Sequence, residues 1–110
     1  MLDRIAAHIR MVPDFPKPGI LFRDLTPLLA DGPAFQATTA ALAERAGAFD
    51  LIAGIEARGF LFGAALAQLT GAGMVIVRKP GKLPAETIGH DYALEYGADR
   101  LELHADAVPA

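Results

Sequence analysis

Two short apolar runs with a longer one between them limit what this chain can become. Leu51-Ile52-Ala53-Gly54-Ile55 and Met74-Val75-Ile76-Val77 are the short runs, and the stretch from Phe60 to Leu69 separates them. A short, unbroken apolar run bounded by turn residues reads as a strand buried on both faces, and a longer one reads as a helix. Strand, helix, strand in that order predicts a parallel pair joined by a right-handed crossover, in an α/β fold. The Phe60–Leu69 helix is apolar nearly all round, so packing on more than one side is expected.

The rest of the chain is read around this unit. Leu2 to Ile9 reads as a short helix, with Leu2, Ile5, Ala6 and Ile9 on one stripe. In "VPDFPKPGILF", Pro13, Pro16 and Pro18 each remove a donor and fix φ, so an extended, irregular segment is expected. Leu21, Phe22 and Arg23 read as a short strand. "DGPAFQATTAALAERAG" is punctuated as a helix, with Pro33 suited to its first position and Gly47 to its end. Residues 78–97, "RKPGKLPAETIGHDYALEYG", break the apolar pattern with prolines, glycines and cations. From Tyr92 to Tyr96 residues alternate, with Tyr92, Leu94 and Tyr96 on one face. The segment reads as an irregular excursion with a β-hairpin arm, and excursions of this length are commonly functional lids or disordered. "RLELHADAV" returns as a strand.

At 110 residues the chain is expected to form a single domain, 1–110, with a modest core. A hydrophobic content of 53% excludes a disordered chain. No apolar run reaches the ~18 residues of a membrane span. "MLDRIAAHIR" has no signal-peptide core. There is no cysteine, hence no disulfide and no thiolate metal site. A formal net charge of −3 argues against nucleic acid as a partner. The expectation is a cytoplasmic protein with no membrane and no nucleic-acid partner, whose phosphate chemistry must come from a local cationic cluster.

One such cluster stands where the first strand meets the helix. Ligands of open α/β sheets bind beyond the carboxyl ends of the strands. A helix start there offers unpaired N–H groups and partial positive charge. Gly59 allows close backbone approach, and Arg58 adds a planar fork suited to phosphate oxygens. A capped helix start with a Glu56–Arg58 surface pair explains the same residues. Lys79 and Lys82 flank a Pro-Gly turn, read either as a mobile cationic tip or as a solvated turn. Glu95 reads as a recognition carboxylate or an exposed strand position. His8, His90 and His104 have no metal spacing and read as surface or structural. Asp14 and Asp24 sit in contexts that Asx turns explain.

"PDFPKPGILFRDLTPLL", "IAGIEARGFLFGAALA", "VIVRKPGKLPAETI" and "YALEYGADRLELHADAV" together resemble consecutive blocks of the adenine phosphoribosyltransferases, from about Ile9 to Val108. The resemblance implies an incomplete type I phosphoribosyltransferase fold: a parallel sheet core with flanking helices, an N-terminal hood segment and a β-hairpin flexible loop. It implies the reaction of adenine with 5-phosphoribosyl 1-diphosphate to give AMP and diphosphate, in purine salvage. Mg²⁺ bound with the phosphoribosyl diphosphate and a homodimer are implied as well. The Glu56-Ala57-Arg58-Gly59 loop resembles the family's diphosphate-binding loop, with Lys79 also on the diphosphate. Leu21, Phe22 and Arg23 resemble the adenine-binding hood. Residues 78–97 resemble the catalytic flexible loop. There Lys82 would reach the diphosphate of the neighbouring subunit's site, and Glu95 and Tyr96 would close over the reaction centre.

One family motif has no counterpart. Two adjacent acidic residues before a Thr/Gly-rich loop cradle the ribose 5-phosphate in the family, and this sequence contains no adjacent acidic pair. The expectation is therefore the N-terminal part of such an enzyme. The alternatives are a catalytically inactive truncated fragment or a phosphoribosyltransferase-like ligand-binding regulator.

Overall fold

The computed structural model describes residues 2–94 and 97–109. Its contacts cluster into two compact units that divide after Ala46.

The first unit opens with helix α1 (Leu2–Ala7), followed by strands β1 (Arg10–Pro13) and β2 (Leu21–Asp24) and helices α2 (Thr26–Ala30) and α3 (Gly32–Ala46). β1 and β2 pair antiparallel, from Arg10 opposite Asp24 to Pro13 opposite Leu21. The segment is irregular from residue 14 to residue 20, where Pro16 and Pro18 fall in the connecting turn, but its start is a strand that ends at Pro13. That turn closes on itself. The Phe15 N–H donates to the Ile20 carbonyl at 3.1 Å, and the Gly19 N–H donates to Asp14 Oδ1 at 3.0 Å. The Phe15 and Phe22 rings meet edge to face, 5.2 Å between centroids. Asp24 accepts from the Thr26 N–H at 2.9 Å, the Asx pattern that starts α2, and lies 3.4 Å from Arg10. These contacts, the Thr26 N–H first, hold its carboxyl below the usual range. Asp31 caps α3 through the Ala34 N–H at 2.9 Å, and its other oxygen lies 3.3 Å from His8 Nε2, tying α1 to α3. Leu28 of α2, 2% exposed, is the most enclosed side chain of this core.

The second unit holds strand β3 (Leu51–Ile55), helix α4 (Arg58–Thr70), strand β4 (Gly73–Val77) and strands β5 (Thr87–Leu94) and β6 (Gly97–His104). β3 and β4 are parallel, Leu51 opposite Gly73 through Ile55 opposite Val77. α4 lies on this pair through a glycine contact. A Cβ on Gly54 would fall 2.5 Å from Met74 Cε, and a Cβ on Gly63 would fall 2.8 Å from the same atom. The missing side chains thus form the slot that Met74 fills. Gly71, at φ 78°, ends the helix with its N–H on the Ala67 carbonyl.

α4 begins two residues earlier than its apolar run, so Arg58 is its first residue. It buries Gly63, Leu66 and Ala67, while Leu61 and Leu69 remain 48% and 58% exposed. The expectation of packing on several sides is corrected for this chain: the described residues cover one face. β5 and β6 pair antiparallel from Thr87 opposite His104 to Leu94 opposite Gly97, a longer hairpin than the Tyr92–Tyr96 alternation indicated. The final strand stops at His104, short of Val108. Arg78 and Glu102 exchange two backbone hydrogen bonds of 2.8 Å, which joins the end of β4 to the hairpin. No helix among the described residues is long and apolar enough to cross a membrane.

Candidate functional site

The carboxyl ends of β3 and β4 are stapled by one side chain. Glu56 continues the parallel ladder, its N–H donating to the Val77 carbonyl at 3.0 Å. Its Oε1 accepts from the Lys79 N–H at 2.7 Å and from Arg78 Nε at 3.3 Å. The Lys79 N–H first, and the Arg78 charge after it, hold this carboxyl below the usual range, against the opposing effect of partial burial. Glu56 is therefore ionised at neutral pH and occupied with structure. The Arg78 guanidinium also lies over the Phe60 ring, 5.8 Å from its centroid, in the first turn of α4.

Beyond Glu56 the peptide bond to Ala57 is cis, and α4 starts at once. Ala57 is the N-cap residue and supplies no side-chain acceptor to the helix start. Arg58 follows with an exposed side chain, and Gly59 lies against Gly54. Ala57, Arg58 and Gly59 follow the end of β3 and open α4. A helix start whose N-cap residue supplies no acceptor, with a guanidinium in its first turn, can receive an anion.

Lys79 is anchored at both ends. Its N–H is on Glu56, and its Nζ donates to the Asp99 carboxylate and lies 3.4 Å from the Tyr92 hydroxyl. Tyr92 and Asp99 face each other across the hairpin. The Asp99 contact, with Tyr92 behind it, raises the Lys79 pKa, and the same contact lowers that of Asp99. Lys82 is exposed beyond the turn at Gly81, whose φ is 80°. With Arg78, Leu83, His104, Met74 and Ile76 it lines a cleft of about 380 Å³.

Leu21, Phe22 and Arg23 stand on β2 of the first unit, with Leu21 and Arg23 exposed. Among the described residues β2 pairs only with β1, so its second edge carries no strand. Glu95 and Tyr96 lie outside the described residues. Reading the sequence passed over Asp99, Tyr92 and Arg78. Tyr92 and Asp99 are paired by the β5–β6 register, which runs from Thr87 opposite His104 to Leu94 opposite Gly97, and no local pattern signals that register.

No protein-family model matches the chain. Over 97% of its length the chain is 58% identical to the adenine phosphoribosyltransferase of Thermoanaerobacter pseudethanolicus, of which it spans 63%. It is 55% identical over 96% of its length to that of Rubrobacter xylanophilus, of which it spans 58%. The crystal structure of the T. pseudethanolicus enzyme superposes with a TM-score of 0.91, covering 97% of this chain and 63% of that one. The Saccharomyces cerevisiae enzyme, crystallised with adenine and an imino-altritol bisphosphate, is 40% identical with a TM-score of 0.90, covering 98% of this chain and 65% of that one. The chain carries part of the fold of these enzymes and spans less than two thirds of their length.

Proposed function

We propose, for a chain that matches adenine phosphoribosyltransferases in sequence and fold over nearly all its length, that it supplies the adenine and diphosphate parts of that activity. The reaction joins adenine to 5-phosphoribosyl 1-diphosphate and releases AMP and diphosphate. As the bond from the anomeric carbon to the diphosphate oxygen breaks, negative charge gathers on the leaving group and positive charge on the sugar. A group that stabilises the departing diphosphate therefore accelerates the step.

The observation that carries this reading is the β3–α4 junction: a helix start whose N-cap residue supplies no acceptor, with Arg58 in its first turn. Arg58 holds the diphosphate with its planar fork, the backbone N–H groups of the helix start add to it, and Gly59 lets the helix start pack closely on Gly54 of β3. Lys79 closes on the same group, and Lys82 reaches the diphosphate in the site of a neighbouring subunit in a homodimer. Leu21, Phe22 and Arg23 offer the uncovered edge of β2 to the purine. Glu95 and Tyr96 close over the reacting centre, where excluding water suppresses hydrolysis of the sugar. Magnesium enters with the phosphoribosyl diphosphate. Among the described residues no three His, Cys, Asp or Glu side chains gather as a metal site.

Titration calorimetry with inorganic diphosphate tests the reading. The loss of a charged hydrogen-bonding group costs ~1.5–3 kcal/mol, so Arg58→Ala is expected to weaken binding about ten- to a hundredfold. Arg58→Lys recovers only part of this, because the fork is lost. Equal affinity in the alanine variant and the wild type removes Arg58 from the role.

A further inference from the structure

We propose that Asp99 is the resting counter-ion of Lys79, a latch that a phosphate-bearing ligand opens by taking the ammonium away from it. The backbone of Lys79 is fixed independently of its side chain. Its N–H is held by Glu56, and Arg78 before it is locked to Glu102 by a pair of backbone hydrogen bonds. Only the four-carbon stem is left to move, so the ammonium can pass from one anion to another by side-chain rotation alone.

The resting place is a built one. Asp99 Oδ1 accepts the Arg100 N–H at 2.8 Å, which orients the carboxylate, and Oδ2 takes the ammonium. The Tyr92 hydroxyl, on the residue directly opposite Asp99, flanks the same ammonium. Arg100 is engaged with Asp91 and Glu102, each at 3.0 Å, so the neighbouring guanidinium has its own carboxylates and leaves Asp99 to Lys79. The pair is partly exposed, with the lysine side chain 42% accessible, so an incoming anion can reach it. A diphosphate offers more negative charge and more acceptor oxygens than one carboxylate. It therefore competes for the ammonium of Lys79, whose backbone Glu56 already holds. Asp99 acts through Lys79 and is a positioning residue.

The latch rests on the diphosphate reading above, and the test separates the two. Inorganic diphosphate is titrated into the wild-type chain, Asp99→Asn, Lys79→Met and the double variant. Removing the competing carboxylate is expected to tighten binding about two- to fivefold, the range of an exposed ion pair. That gain is expected to vanish in the Lys79→Met background. In parallel, the Asp99 carboxyl is titrated by ¹³C NMR, and its pKa is expected to rise in Lys79→Met and, in the wild type, on saturation with diphosphate. No tightening in Asp99→Asn, a gain that survives without Lys79, or an Asp99 titration indifferent to diphosphate overturns the latch while the diphosphate site stands. No binding by the wild type up to about 10 mM overturns the diphosphate reading and the latch with it.

Discussion

Gly54→Ala places one methyl group where strand, helix and Met74 converge, and the structure gives the size of the penalty. The new Cβ would stand 2.5 Å from Met74 Cε and 2.9 Å from the Gly59 carbonyl oxygen. The methionine tip is flexible, but Gly63 confines it from the other side, where a Cβ would also come within 2.8 Å. The Gly59 carbonyl is backbone in the first turn of α4 and moves only if the helix moves. Overpacking of this kind costs ~1–3 kcal/mol, while replacing glycine returns ~0.4–1 kcal/mol through the unfolded chain. The net cost is on the order of 1–2 kcal/mol. At ~4–8 °C per kcal/mol for a chain of about this size, the melting temperature should fall by roughly 5–15 °C in differential scanning calorimetry. Because relief comes by lifting Gly59, and Arg58 with it, diphosphate affinity should fall in the same variant. A Gly54→Ala chain that melts at or above the wild type refutes the close-packing argument, and one that melts lower but binds diphosphate normally separates the slot from the site.

Three further outcomes are expected. The Asp99 pKa is lowered, so its contribution to stability is present above about pH 3.9 and is lost as pH falls through its folded value; that of Lys79 is raised, so its contribution is present below about pH 10.4 and is lost as pH rises through its folded value. The melting-temperature difference between wild type and Asp99→Asn should thus be flat across the neutral range and close below about pH 4, and a difference that widens in acid contradicts the assignment. The purified 110-residue chain, which contains no adjacent acidic pair, should form no AMP from adenine, phosphoribosyl diphosphate and Mg²⁺ by chromatographic assay; turnover near ~1 s⁻¹ shows that such a pair is dispensable. Leu51, Ile55 and Ile76 leave apolar surface exposed on a two-stranded parallel sheet, so the chain should self-associate by light scattering; a monomer with a sharp thermal transition counts against this.

β3, α4 and β4 were legible in the sequence because continuous apolar runs bounded by glycine or charged residues leave few other structures open. α2 was not, because its five residues, TPLLA, are too short for a helical period and stand one residue before α3. β1 was hidden by the prolines that follow it, which set the turn and leave the strand intact. At the site, Arg58 and the lysines announced themselves by charge and position. The partners of Lys79 did not, since Asp99 is twenty residues away and reaches it only through the register of a hairpin. Glu56 was read beside Arg58 in sequence, whereas its carboxylate reaches the neighbouring strand's end, a contact no local pattern encodes.

The anchoring of residues 78 and 79 by Glu102 and Glu56 also acts as a ruler. At the far side of the turn, the Ala105 N–H holds the Glu86 carbonyl at 2.8 Å, so the span between the two anchors runs from Pro80 to Ala85 and is tied within itself only by the Gly81 N–H on Glu102 Oε1 at 3.3 Å and the Ala85 N–H on His104 Nε2 at 3.4 Å. Lys82 is the third residue beyond its fixed root at Lys79. Chain at full extension advances ~3.3–3.6 Å per residue, so the Cα of Lys82 can travel no farther than about 10 Å from that of Lys79. Any diphosphate that Lys82 serves on a neighbouring subunit must sit within that radius plus the length of one lysine side chain. Under the proposed reading, the fixed root at Lys79 would thereby cap the distance at which two copies could share a site.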